Sequence, residues 1–306
     1  MEDAQRGCPP ARLVCSETFR AQLRGIGNLF LDDTEESTST TFSQKSRPVP
    51  GSSVQDRGSF RVQRIVSSEF IWDSHFHAEV SRGPFKSSKD WLLARLSLAE
   101  MDCRKHEKDE GDGDDEDEDE DDLEELEHIM DIISRLRRHP DDFFPPPGSE
   151  PERTMIFHDD LSRQNILVNE DGNLTAVVDW ECISTLPLWI ACQIPPLLQG
   201  TPRNEEPVKT KYQHDEDGNV VELFWEHLDD YELTQLRRVF LEEMERLQPE
   251  WVEIFESSQR QRDFDLAVSS CSDSFLIRRI RNWLDDMEKG VEDFQGLEER
   301  IDNASL

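Results

Sequence analysis

Along much of the chain, apolar residues recur at three- and four-residue steps, the period of a helix with one buried face. In FRAQLRGIGNLFL, Phe19, Leu23, Ile26 and Leu29 fall near that spacing and predict a first helix. GPFKSSKDWLLARL predicts another, with Trp91, Leu92, Leu96 and Ala99 on one face and Ser87 or Ser88 placed to cap it. A third helix begins at Leu123, carries Leu126, Ile129, Met130, Ile133 and Leu136, and ends in RLRRHP. There the cations suit the negative end of the helix dipole and the proline stops the helix. DDYELTQLRRVFLEEMERL turns Leu233, Leu236, Phe240, Met244 and Leu247 inward, and a helix pair follows around Phe264 to Cys271 and Phe275 to Asp286.

Two stretches read as strands instead. FRVQRIVSSEFIW alternates enough to predict a strand pair. Ile166 to Val168 and Leu174 to Val178 are short β-favouring runs on either side of NEDGN, where Asp171-Gly172 signals a hairpin because a primed turn needs positive φ. With the turn centred near Gly172, Asn165 and Asp179 fall opposite each other at the open end.

Between these elements the composition changes. Residues 32–58 are rich in Ser, Thr, Pro and Gly with no apolar period, which predicts a flexible loop after an N-terminal segment and first helix over 1–31. Residues 107–122 lie in the most acidic run of the chain, where mutual repulsion predicts a disordered insertion in a folded region spanning 59–306. The formal net charge of -34 repels phosphates at long range, so neither nucleic acid nor an anionic membrane is an expected partner. Basic proteins are a candidate partner of the acidic run. Six cysteines without CxxC spacing, and no signal peptide, predict reduced thiols in an intracellular, cytoplasmic protein. Apolar runs break well short of the ~18 residues that span a bilayer.

The chemistry concentrates in FHDDLSRQNILVNEDGNLTAVVDWE, residues 157–181. A carboxamide from Asn165 beside a carboxylate from Asp179 makes a pair of hard oxygen ligands, suited to Mg²⁺ that keeps waters and a substrate's phosphates. Asp160, on the loop just before Asn165, is within reach of a substrate hydroxyl. That arrangement is a site for phosphoryl transfer.

His158-Asp159-Asp160-Leu161, then Asn165-Ile166-Leu167-Val168, then Val178-Asp179-Trp180-Glu181 resemble the catalytic half of the aminoglycoside phosphotransferase family, relatives of protein kinases. Flanking segments from about Phe19 to about Trp283 resemble a diverged fungal-type branch. The resemblance implies an α+β fold, mainly α: a protein-kinase-like C-terminal lobe with a catalytic loop, a metal-binding β-hairpin and a disordered acidic insertion. It implies ATP and Mg²⁺ as cofactors and the hydroxyl of a small molecule as acceptor. By position, Asp160 is the catalytic base, His158 supports the loop, and Asn165 and Asp179 hold the metal on the phosphates. Asp159 stands where the family has Gly and adds a second charge beside the base.

A kinase-type enzyme also uses a Gly-rich loop and a lysine on the phosphates. Upstream, Arg24-Gly25-Ile26-Gly27 is only a Gly-x-Gly fragment, expected in a helical context. Lys45, Lys86 and Lys89 lie in a loop or at a helix start. The chain is therefore expected to lack the nucleotide-binding lobe, either as a gene model without its first part or as a remnant. Two functions follow: ATP-dependent phosphoryl transfer, or a catalytically inactive pseudoenzyme serving as an acidic interaction scaffold.

Overall fold

The computed structural model describes residues 4–31, 60–109 and 119–302, apart from 147, 182, 216, 217 and 293. The expected loop 32–58 lies outside the described residues, as do positions 110–118 of the expected acidic insertion. On either side of those positions the backbone is helical, to Asp109 and again from Asp119.

In chain order the elements begin with α1 (Ala4–Arg20), β1 (Leu23–Arg24), β2 (Asn28–Leu31), β3 (Phe60–Gln63) and α2 (Ser68–Ile71). The long helices α3 (Ser88–Asp109) and α4 (Asp119–Arg138) follow, then α5 (Pro140–Phe143) and β4 (Arg153–Phe157). Next come β5 (Ile166–Val168), β6 (Leu174–Val177), β7 (Ser184–Pro187) and α6 (Leu188–Ala191). The C-terminal helices are α7 (Glu222–Leu247), α8 (Pro249–Ser257), α9 (Gln259–Ser269), α10 (Ile277–Glu288) and α11 (Leu297–Asp302). The architecture is α+β and mainly α.

The chain divides into two compact units whose segments alternate along the sequence. One joins Met1–Gln22, Ile156–Ile183 and Cys192–Glu256; the other joins Leu23–Met155, Ser184–Ala191 and Ser257–Leu306.

The larger unit is built on α3, α4, α9 and α10. Leu92 and Leu96 of α3, Ile132, Ile133 and Leu136 of α4, Phe264 of α9 and Trp283 of α10 are all buried in one core cluster. Ser87 caps α3 reciprocally with Asp90: its hydroxyl accepts the Asp90 N–H at 3.2 Å and donates to the Asp90 carboxylate at 2.8 Å. Glu152 satisfies the next free N–H, accepting from Ser88 N at 2.9 Å. The arginines that end α4 tie helices together, Arg135 to Asp285 at 2.7 Å and Arg137 to Glu100 at 2.6 Å. Buried Arg95 pairs with Glu69 at 2.7 Å and with Asp265, and stacks over Trp91 at 4.7 Å.

The helix expected over Phe19 to Leu29 is not formed. Phe19 closes α1, while Leu23, Ile26 and Leu29 enter sheet structure. The glycines decide this. Gly25 sits at φ +90°, and a Cβ on Gly27 would meet the Gln63 carbonyl oxygen at 1.9 Å. The Gly-x-Gly fragment therefore lies in a strand context, where the Gly25 carbonyl accepts the hydroxyls of Thr154 and Thr185 at 3.1 and 3.0 Å. Nor do residues 60–72 form a strand pair: β3 pairs with β2, from Asn28↔Gln63 to Leu31↔Phe60, and SEFI turns into α2. β1, β4 and β7 make a separate three-stranded sheet in that order.

In the smaller unit α1 packs along α7, fastened by an Arg12–Glu243 ion pair and by Gln248 donating to Ser16 at 3.1 Å. Phe240 and Met244 are buried as expected, and Phe240 meets Trp251 of α8 edge-on at 5.6 Å. Leu236 and Leu247 are half-buried. The hairpin β5–β6 belongs to this unit. Among the described residues, no helix is long and apolar enough to cross a membrane.

Candidate functional site

The site grows from the segment between β4 and β6. Leu161 anchors it: its side chain is buried, and its carbonyl accepts the Leu197 N–H at 3.1 Å. A short 3₁₀ turn over Arg163–Asn165, closed by Asn165 N–H to the Ser162 carbonyl at 3.2 Å, then delivers the chain into β5.

That turn folds Asn165 back onto Asp160. Buried Asn165 spends its amide nitrogen twice on Asp160, at 2.9 Å to the carbonyl oxygen and 2.8 Å to a carboxylate oxygen. Its own carbonyl oxygen is thereby the end left to accept a proton or face a cation. Asp160 is exposed, oriented by a neutral donor and open on its other oxygen.

His158 is buried and joins the loop to the hairpin. Its Nε2 donates to the Val178 carbonyl at 3.0 Å, which places the proton on that nitrogen, while Nδ1 is buried without a partner. Trp180 closes over it, ring centroids 5.0 Å apart and edge-on, with the indole N–H donating to the Val177 carbonyl at 2.7 Å.

The hairpin departs from the expected register by one residue. A turn over Asn169–Gly172, with the Gly172 N–H donating to the Asn169 carbonyl at 2.9 Å, has Glu170 and Asp171 at its centre, and Gly172 follows at φ +78°. A bulge between Leu167 and Val168 then shifts the pairing. Ile166 faces Val177, and the Val178 N–H donates to the Asn165 carbonyl at 3.0 Å. Asn165 is thus opposite Val178, not Asp179. The expected facing pair misses because the turn centres on Asp171 rather than Gly172, and the bulge, with Thr175 as the extra residue, recovers only part of the offset. Asp179 lies one residue beyond the ladder at φ +67°, a left-handed conformation that strains most side chains and that Asp tolerates better.

Charge is lopsided here. Asp159, Asp160, Glu170, Asp171, Asp179 and Glu181 are exposed, and Arg163, the one Lys or Arg in residues 157–181, pairs with Asp229 at 3.3 Å. Among the described residues no group of three or more His, Cys, Asp or Glu gathers to enclose a metal. The expected ligands, the Asn165 side-chain oxygen and the Asp179 carboxylate, are both oxygen donors. Two oxygen ligands fit Mg²⁺, which takes few protein ligands and completes its shell with phosphates and water.

Sequence reasoning reaches His158, Asp160, Asn165 and Asp179. It does not reach the His158–Val178 bond, the Trp180 edge contact or the Arg163–Asp229 pair, since none has a local signature. The structure joins Asp160 to Asn165 directly, and His158 to the strand end that carries Asp179. The segment is thus a His-x-Asp loop folded onto an Asn, with a second Asp at the foot of the hairpin. Residues 79–190 match the model of the phosphotransferase enzyme family. Among curated proteins and among solved structures, nothing matches the chain.

Proposed function

We propose that this protein transfers the γ-phosphoryl group of ATP to a hydroxyl of a small molecule. The observation that carries the reading is the double hydrogen bond from Asn165 to Asp160, which presents a carboxylate for a hydroxyl proton and an amide oxygen for a cation. The acceptor oxygen forms a bond to the γ-phosphorus and gives its proton to Asp160. The bond from that phosphorus to the bridging oxygen breaks, and its electron pair leaves with ADP. Asn165 and Asp179 would hold Mg²⁺, which when bound supplies positive charge against the phosphate oxygens. His158 fixes the loop to the hairpin and takes no proton from the acceptor.

The test is ADP release from Mg-ATP in the presence of small hydroxyl compounds, comparing the wild type with Asp160→Ala. Loss of at least about a hundredfold in a folded variant supports the base role. Equal release from both would overturn the role of Asp160, and release from neither favours the inactive acidic scaffold instead.

A further inference from the structure

The β5–β6 hairpin is exposed on both faces. Leu167 and Val168 are 46% and 50% exposed, with Val178 and Trp180 beside them at 38% and 40%. Its sheet has two strands only, and a two-stranded ribbon is marginal in water without cover. The ladder also leaves one edge of β5 open. The bonds from Val178 N–H to the Asn165 carbonyl and from Asn169 N–H to the Asn173 carbonyl mark the inward-facing residues. By antiparallel alternation, the N–H and C=O groups of Ile166 and Val168 between them point away from β6. Among the described residues, no strand pairs with them.

An apolar patch with an open strand edge selects an extended polypeptide, whose backbone satisfies the edge while alternate side chains cover the patch. The surrounding charge selects its composition. Six exposed acids rim this segment, and its one arginine is engaged with Asp229. An acidic strand would be repelled, and so would an anionic lipid surface. We propose that β5 is a docking edge for an extended basic segment of a partner protein, one that alternates Lys or Arg with aliphatic residues and adds a third strand along Ile166–Val168. This goes beyond phosphoryl transfer and does not depend on it. It also differs from attraction to the acidic run, because it requires a backbone edge and apolar contact.

A fluorescein-labelled peptide of alternating Lys and Val, titrated with the full chain and read by fluorescence anisotropy, tests the inference. Leu167→Asp and Val168→Asp alter exposed positions and add negative charge, so simple attraction would strengthen binding whereas edge docking loses about tenfold or more in affinity. The same peptide N-methylated on alternate residues should bind about tenfold more weakly, since it cannot pair with the edge. Unchanged or tighter binding to the Asp variants, or equal binding of the N-methylated peptide, would overturn the proposal.

Discussion

The His158 ring donates to the Val178 carbonyl at 3.0 Å, and through this bond the loop that carries Asp160 is fastened to the strand end that carries Asp179. The partnerless Nδ1 on the same ring opposes the bond's contribution to stability. His158→Phe keeps the ring against Trp180 and loses both the bond and the orphan nitrogen. Its stability should therefore change by no more than about 1 kcal/mol, whereas binding of Mn²⁺-ATP should weaken severalfold as loop and hairpin separate. Thermal melts together with a binding titration check this. A large loss of stability with intact binding would contradict it.

Asp179 is held at φ +67°. Glycine adopts that conformation without strain, so Asp179→Gly should leave stability unchanged or raise it by up to about 1 kcal/mol. Cation binding should fall at the same time. Urea unfolding of the variant measures the first effect, and loss of stability beyond about 1 kcal/mol would show that the carboxylate is structural.

Much of this was legible in the sequence, and the misses share a cause. The helices around Leu92, Ile133 and Phe240 are read correctly because one face of each is buried, and burial is what a three- and four-residue period reports. Leu23, Ile26 and Leu29 satisfy the same spacing, yet backbone closeness at Gly27 decides their conformation, and no periodicity carries that information. At the candidate site, the closeness of Asp160 and Asn165 was legible because they lie five residues apart on one short loop. The register was not, because the turn centre at Asp171 and the extra residue Thr175 opposite Leu167/Val168 are properties of the paired strands rather than of either alone.

Buried Arg95, held between Asp265 and the partly exposed Glu69, predicts a large stability effect. Burial pushes the Asp265 carboxyl up, against the pull of the Arg95 guanidinium. Arg95→Ala leaves that carboxylate buried without its partner and should cost about 3–5 kcal/mol. The double variant Arg95→Met with Asp265→Leu should recover most of the loss, and chemical denaturation distinguishes the two.

His75 predicts a pH dependence. Burial pulls its pKa down, but acceptors on both ring nitrogens, the Glu69 carbonyl at 2.6 Å and the Asp102 carboxylate at 2.8 Å, outweigh it and leave the pKa raised. Both nitrogens must donate, so the fold favours the imidazolium. A raised pKa in the folded state gives stability that is fully present below about 6.5, the unfolded value, and is lost as pH rises through the folded value. Melting temperature should fall over that window in the wild type, and the fall should be smaller in His75→Ala. Parallel curves would contradict it.

The central claim is that Asn165 and Asp179 hold a divalent cation on a nucleotide's phosphates beside Asp160. Electron paramagnetic resonance of Mn²⁺ titrated into the full chain with ATP tests it most directly, since free and bound Mn²⁺ differ in signal. The account predicts saturable binding that weakens by about tenfold or more in both Asn165→Ala and Asp179→Ala while the fold is retained. Binding in both variants as strong as in the wild type, or none in the wild type, would contradict it.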